Sequence, residues 1–157
     1  MIRKLAVFAI VFAAGAVVGR VALPSAVDVV HAQTRKPVMV TRLFTGPDNQ
    51  THAEEMELKF AEGSGIQAAS LLPVKAAELH RNVPGGVSDW HRAPRRQYVI
   101  TLSGHGEPEV SGGKTIPVGP GHIELVEDTT GKGHITRVTG NEERVTLQVV
   151  LTDQGAR

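Results

Sequence analysis

Between Gly85 and His134 the chain breaks every few residues at a glycine turn, and this punctuation constrains the fold more than any other feature. The run Gln97-Tyr98-Val99-Ile100-Thr101-Leu102 alternates as a strand and turns at Ser103-Gly104. Gly106 to Val110 and Lys114 to Val118 flank Ser111-Gly112-Gly113, a hairpin signal with φ-permissive residues at its tip. Gly119-Pro120-Gly121 then leads into the apolar strand Ile123 to Val126, and the Gly-containing loop Thr129 to Gly133 ends at His134. Segments this short and this often interrupted cannot be long packed helices. They make a small, all-β body in which His91 and His134 stand at strand ends.

Composition agrees. Seventeen Gly and nine Pro against four Phe, one Trp and one Tyr favour short strands and tight turns in a chain of 157 residues, one domain by length. A net charge of +1 sets up no field to draw phosphate backbones, so nucleic acid is not an expected partner. The absence of cysteine excludes disulfides, thiolate metal sites, a thiol nucleophile and lipidation through a lipobox.

In chain order, a basic start at Met1 to Lys4 precedes the apolar run Leu5 to Gly19, shorter than the roughly 20 residues that span a bilayer. It fits the core of a secretory signal, with Val30-His31-Ala32 before a cut. Residues 1–32 are therefore expected to be a signal peptide or, uncleaved, an N-terminal membrane anchor, and the protein to be exported, periplasmic or secreted. The globular domain is expected over 38–152. Val38 to Thr45 reads as its first strand, followed by the turn Gly46-Pro47-Asp48-Asn49. From Thr51 to Phe60, Met56, Leu58 and Phe60 share one face with His52 and Glu54, the face expected to point inward. Lys75 to Asn82 is expected to be a strand, as are Ile135 to Val138 and Val145 to Thr152; the tail from Asp153 is polar.

The order of these motifs resembles the two-motif signature of the cupins, small β-barrels of jelly-roll type. Gly86, His91, Gln97 and Gly104 fall on the Gly, first His, Glu and last Gly of the first motif, and Gly119-Pro120-Gly121 with His134 on the second. The runs Trp90 to Val99 (WHRAPRRQYV) and Glu127 to His134 (EDTTGKGH) are similar to those of a group of small, largely uncharacterised cupin-domain proteins. The resemblance covers about the last two thirds of the chain. It implies a single barrel whose mouth holds a site, pairing through sheets into a homodimer, and, where a metal is bound, isomerase or oxygenase chemistry.

Cupins hold a divalent metal with three His and one Glu; here the second His position is Ala93 and the Glu position is Gln97. His91, Gln97 and His134 are the remaining candidate ligands. Losing an imidazole and an anion weakens the set for hard cations, whereas imidazoles suit Zn²⁺, Ni²⁺ or Cu²⁺ if His52 or His122 supplies a third. A divalent transition metal (Zn, Ni, Cu or Fe) is one expectation and a metal-free pocket the other.

Arg95 shares the parity of His91 and Gln97, so it either forks onto a ligand carboxylate or phosphate or pairs with Asp128 or Glu127. Trp90 and Tyr98 offer apolar lining. The expected ligand pocket is thus His91, Gln97, His134, Arg95, Trp90 and His52, and the expected partner a small, anionic molecule; the alternatives are metal-dependent turnover and a metal-free, non-catalytic module that binds a ligand or a partner in the cell envelope. Thr129-Thr130-Gly131-Lys132 lacks the first Gly and the Ser/Thr of a phosphate loop, and Ser88, Asp89 and His91 lie too close in sequence for a triad.

Overall fold

The computed structural model describes residues 36–61 and 65–152. The expected signal or anchor segment, residues 62–64 and the tail from Asp153 lie outside the described residues. Nine strands follow in order: β1 (Met39–Thr45), β2 (Thr51–Glu57), β3 (Val74–Asn82), β4 (Val87–His91), β5 (Gln97–Ser103), β6 (His105–Glu109), β7 (Ile123–Val126), β8 (His134–Thr139) and β9 (Arg144–Leu151). There is no α-helix among the described residues, so the all-β class read from the sequence is the class of the fold.

The strands form two sheets, one of six in the order β2-β1-β7-β5-β9-β3 and one of three in the order β4-β8-β6. Only β1 and β7 run parallel, a pairing that brings residues about eighty apart side by side. Over β1, β5 and β7 the larger sheet buries residues on both faces, while its edge strand β3 is largely exposed. On its inner face Leu43, Val99 and Val126 pack with Ala93, Val110, Ile116 and Val118 from the connections outside the sheet. On its outer face Val40, Tyr98, Leu125 and Leu151 pack with Met56 and Leu58.

This double burial corrects the expected inward face of β2. His52, Glu54, Met56 and Leu58 do share a face, but it is the outer one. Glu54 lies opposite Arg42 of β1 and bonds it at 2.9 Å; His52 lies opposite Phe44 and bonds Asp48 Oδ1 at 2.9 Å. The inward residue at the start of β2 is Thr51, which is fully buried. Period-two alternation shows which residues share a face and cannot say which face is inside. The strand also stops at Glu57, short of Phe60.

The expected hairpin around Ser111-Gly112-Gly113 is present in looser form. Val110 N–H donates to Lys114 O at 2.9 Å and Ile116 N–H to Pro108 O at 2.9 Å, but Pro108 has no N–H to return, so 114–118 bridges β6 only at isolated points. At the expected turn, Gly104 has φ +69° and a Cβ there would lie 2.3 Å from the Glu143 carbonyl oxygen, so only glycine lets the chain leave β5 beside β9.

Candidate functional site

Cross-strand register builds the floor of a cavity on the inner face. Val99 stands between Glu124 of β7 and Gln148 of β9. On the far side Glu78, His80 and Asn82 of β3 stand beside Gln148, Thr146 and Arg144. The smaller sheet supplies the opposite wall. The resulting cavity measures about 440 Å³ and is lined by side chains from both sheets, among them His91, His134, Gln97, Glu124, Arg144 and Gln148.

His91 reaches it through an irregularity in β4. Ser88 pairs with Thr136 and His91 with His134, and the register shifts between them, so a bulge at Asp89-Trp90 turns both Ser88 and His91 toward the cavity although three positions separate them. Gly133 makes the approach possible: its φ is +81°, and a Cβ would lie 2.0 Å from the His91 carbonyl oxygen. The two imidazoles end with ring centroids 4.5 Å apart and planes tilted by 55°.

Each ring is held from behind. His91 Nδ1 is 2.7 Å from the Asp89 carbonyl oxygen. His134 Nδ1 is 2.6 Å from Asp128 Oδ2, which also accepts from Thr51 Oγ1 at 3.2 Å. Asp128 is fully buried, and its other oxygen has no partner. Gln97 is buried at the head of β5, where its Oε1 accepts from Arg95 Nε at 3.3 Å and leaves the amide N–H groups for the cavity.

The floor holds a buried ion pair. Glu124 and Arg144 meet at 2.9 Å with side-chain exposures of 4% and 5%, and Arg144 also donates to Thr101 Oγ1 at 2.8 Å. Burial pushes the Glu124 carboxyl above the ordinary carboxylate range, against the pull of Arg144. A polar chain then runs outward from the lining: His80 Nε2 lies 3.1 Å from Glu78 Oε2, which Arg95 Nη2 meets at 2.5 Å.

Of the residues singled out in the sequence, His91, Gln97 and His134 line this cavity and His52, Arg95 and Trp90 do not. The fork expected of Arg95 is committed to Glu78 and Gln97, not to Asp128 or Glu127. Asp128 holds His134 instead, while Glu127 takes Arg96 and Arg42, which outweigh its burial and keep its carboxyl below the ordinary value. Trp90, carried outward by the bulge, lies under Lys132 Nζ at 3.9 Å from its ring centre. His122 bonds Thr41 Oγ1 at 3.0 Å.

The donor set does not fit a resident divalent ion. Two imidazoles converge, but Gln97 has its oxygen engaged by Arg95, His52 is on the outer face, and among the described residues no group of three or more His, Asp or Glu side chains is placed to hold a metal. Sequence reasoning missed Glu124, Arg144 and Gln148, and the alternatives it left open for Arg95 did not include Glu78. The one available signal was a carboxylate on the inward parity of the otherwise apolar Ile123–Val126.

No family model and no curated protein matches the chain. Among solved structures it is similar to the cupin domain of Cnp3 from Schizosaccharomyces pombe, at 17% identity over 78% of this chain and 88% of that one, with a TM-score of 0.42. It is also similar to a cupin 2 conserved barrel domain protein from Rhodopseudomonas palustris, at 20% identity over 76% and 74%, with a TM-score of 0.39. A third is the conserved SPY1581 protein of unknown function from Streptococcus pyogenes, at 18% identity and a TM-score of 0.39; half of this chain is covered, and it spans 65% of the length of that protein.

Proposed function

We propose that this protein binds a small, anionic molecule in the cavity between its two sheets and does so without a metal. The observation that carries the reading is a 440 Å³ polar cavity that receives the uncharged donors of Gln97 and Ser88, its one lining carboxylate already paired, beside two imidazoles 4.5 Å apart and each anchored through Nδ1. Anchored rings do not lose rotamer freedom when a ligand arrives, which lowers the cost of binding.

Charge supports an anion over a cation. The one carboxylate in the lining, Glu124, is neutralised by Arg144, while Gln97, Ser88 and Asn82 offer uncharged donors. A carboxylate accepting two or three such bonds is satisfied without displacing the buried pair. The metal-dependent isomerase or oxygenase chemistry that the cupin resemblance brings with it needs a resident ion, and the donor set gives that chemistry no support.

Binding is tested by the melting temperature of the full chain, as purified, against a set of small carboxylates. A ligand at a hundred times its Kd stabilises by about 2.7 kcal/mol, and Ser88→Trp, which fills the cavity from its wall, should abolish the gain. A stabilisation that survives Ser88→Trp unchanged would place the ligand elsewhere and end this reading. The apolar run Leu5 to Gly19 supports export of the same protein; fractionation of cells carrying the full chain tests that, and recovery solely in the cytoplasm would refute it.

A further inference from the structure

We infer that Asp128 and the Asp89 carbonyl hold His134 and His91 as their Nδ1–H tautomers, so that the cavity meets its ligand with two Nε2 lone pairs and selects a carboxylate that also carries hydroxyl groups. The ligand half of this inference rests on the anion-binding reading above; the tautomer half does not.

A backbone carbonyl only accepts hydrogen bonds, so the 2.7 Å contact between His91 Nδ1 and Asp89 O requires the proton on Nδ1. For His134 the partner is a fully buried carboxylate oxygen that already accepts from Thr51 Oγ1, so the 2.6 Å contact is assigned as Nδ1–H donating to it. A neutral imidazole has a single N–H. With both protons on the anchored side, both Nε2 atoms are acceptors.

Those acceptors belong to rings whose centres are 4.5 Å apart, and neither can satisfy the other. An anionic oxygen placed there would meet lone pairs, whereas a hydroxyl donates to them. The complementary donors stand elsewhere in the lining: the Gln97 amide, whose oxygen is held by Arg95, and the Ser88 hydroxyl. One molecule answers both poles if it carries a carboxylate for the donors and hydroxyls for the imidazoles. Asp128 is then a positioning residue, which acts on the ligand through His134.

Long-range ¹⁵N–¹H spectra of the full chain at pH about 8, above the ordinary imidazole range, read the tautomers with no substitution: both rings should have a protonated Nδ1 and a bare Nε2, and a protonated Nε2 on either overturns the assignment. Binding is then compared for gluconate, hexanoate and sorbitol, three six-carbon probes with both groups, the carboxylate alone and the hydroxyls alone. A neutral hydrogen bond contributes about fivefold in affinity, so gluconate should bind at least about fivefold more tightly than hexanoate, and sorbitol more weakly than gluconate. Equal affinity for gluconate and hexanoate overturns the ligand class.

In D128N the new amide can donate to Nδ1 and release the His134 proton to Nε2. The gluconate advantage should fall away while hexanoate affinity stays, an outcome a merely structural role would not give; a retained advantage overturns the role of Asp128. If the tautomers are as stated and none of the three probes binds, the anion-binding reading and the ligand class fail together and the tautomer assignment stands.

Discussion

His134 Nδ1 lies 2.6 Å from Asp128 Oδ2, and neither side chain has appreciable contact with solvent. The pair joins the loop before β8 to the first residue of that strand, and through Thr51 it also reaches the start of β2. It is one of the points at which the cavity wall is tied to the larger sheet.

Removing that tie should be expensive. Asp128→Ala leaves the Thr51 hydroxyl and His134 Nδ1 buried without partners, each a loss of about 1–3 kcal/mol. Urea unfolding should show a lowered midpoint at unchanged slope, and a variant within 0.5 kcal/mol of wild type, about the size of an ordinary surface change, would mean that water replaces the carboxylate.

Glu124 and Arg144 should behave asymmetrically. Arg144→Met alone strands a buried carboxyl and is expected to cost about 3–5 kcal/mol, whereas Glu124→Leu combined with Arg144→Met should be close to neutral. Denaturant curves of the two singles and the double check it, since independent sites would give additive losses.

The same pair predicts a pH effect of definite sign. Burial raises the Glu124 carboxyl above 4.5, so the folded state holds that proton where the unfolded chain has released it; its contribution is present below pH 4.5 and lost as the pH rises through the folded-state value. Glu127 is lowered from 4.5 by Arg96 and Arg42, which overcome its burial, and so contributes above pH 4.5 and loses that contribution as the pH falls below it. Stability of Glu124→Gln and Glu127→Gln, each subtracted from wild type from pH 3 to 8, should therefore slope in opposite directions.

Gly133→Ala should damage both stability and the cavity. A Cβ there would meet the His91 carbonyl oxygen at 2.0 Å and would have to hold φ +81°, a strain of at least about 1–3 kcal/mol. The imidazoles would be forced apart, and the ligand-induced rise in melting temperature should disappear even where the variant still folds.

Added Zn²⁺, Ni²⁺, Cu²⁺ or Fe²⁺ should leave the melting temperature of tag-free protein unchanged, because an ion bound only to the native state must raise it. A stoichiometric ion lost in both His91→Ala and His134→Ala would overturn the metal-free reading.

Much of this was legible in the chain. Glycine turns and alternation located eight of the nine strands to within a few residues; β4, which ends at His91, had no range of its own in the sequence reading. The motif resemblance singled out His91, Gln97 and His134, which the fold brings to one cavity. Arg95 and His52 were placed by strand parity, a local property, and parity failed where the larger sheet turned out to bury residues on both faces and where Glu78, seventeen residues away, was the available counter-charge.

The sequence by itself determined the β class, the turns and the sets of residues that share a face, because backbone sterics, glycine's positive φ and a period of two act between near neighbours. Only the tertiary structure decided which face is inside, that a bulge in β4 carries Trp90 outward and His91 inward, and that Asp128 serves His134 while Glu124 serves Arg144. Those choices depend on register between strands as far apart as β1 and β7, and on which buried charges find a partner when the sheets close. No local pattern encodes them.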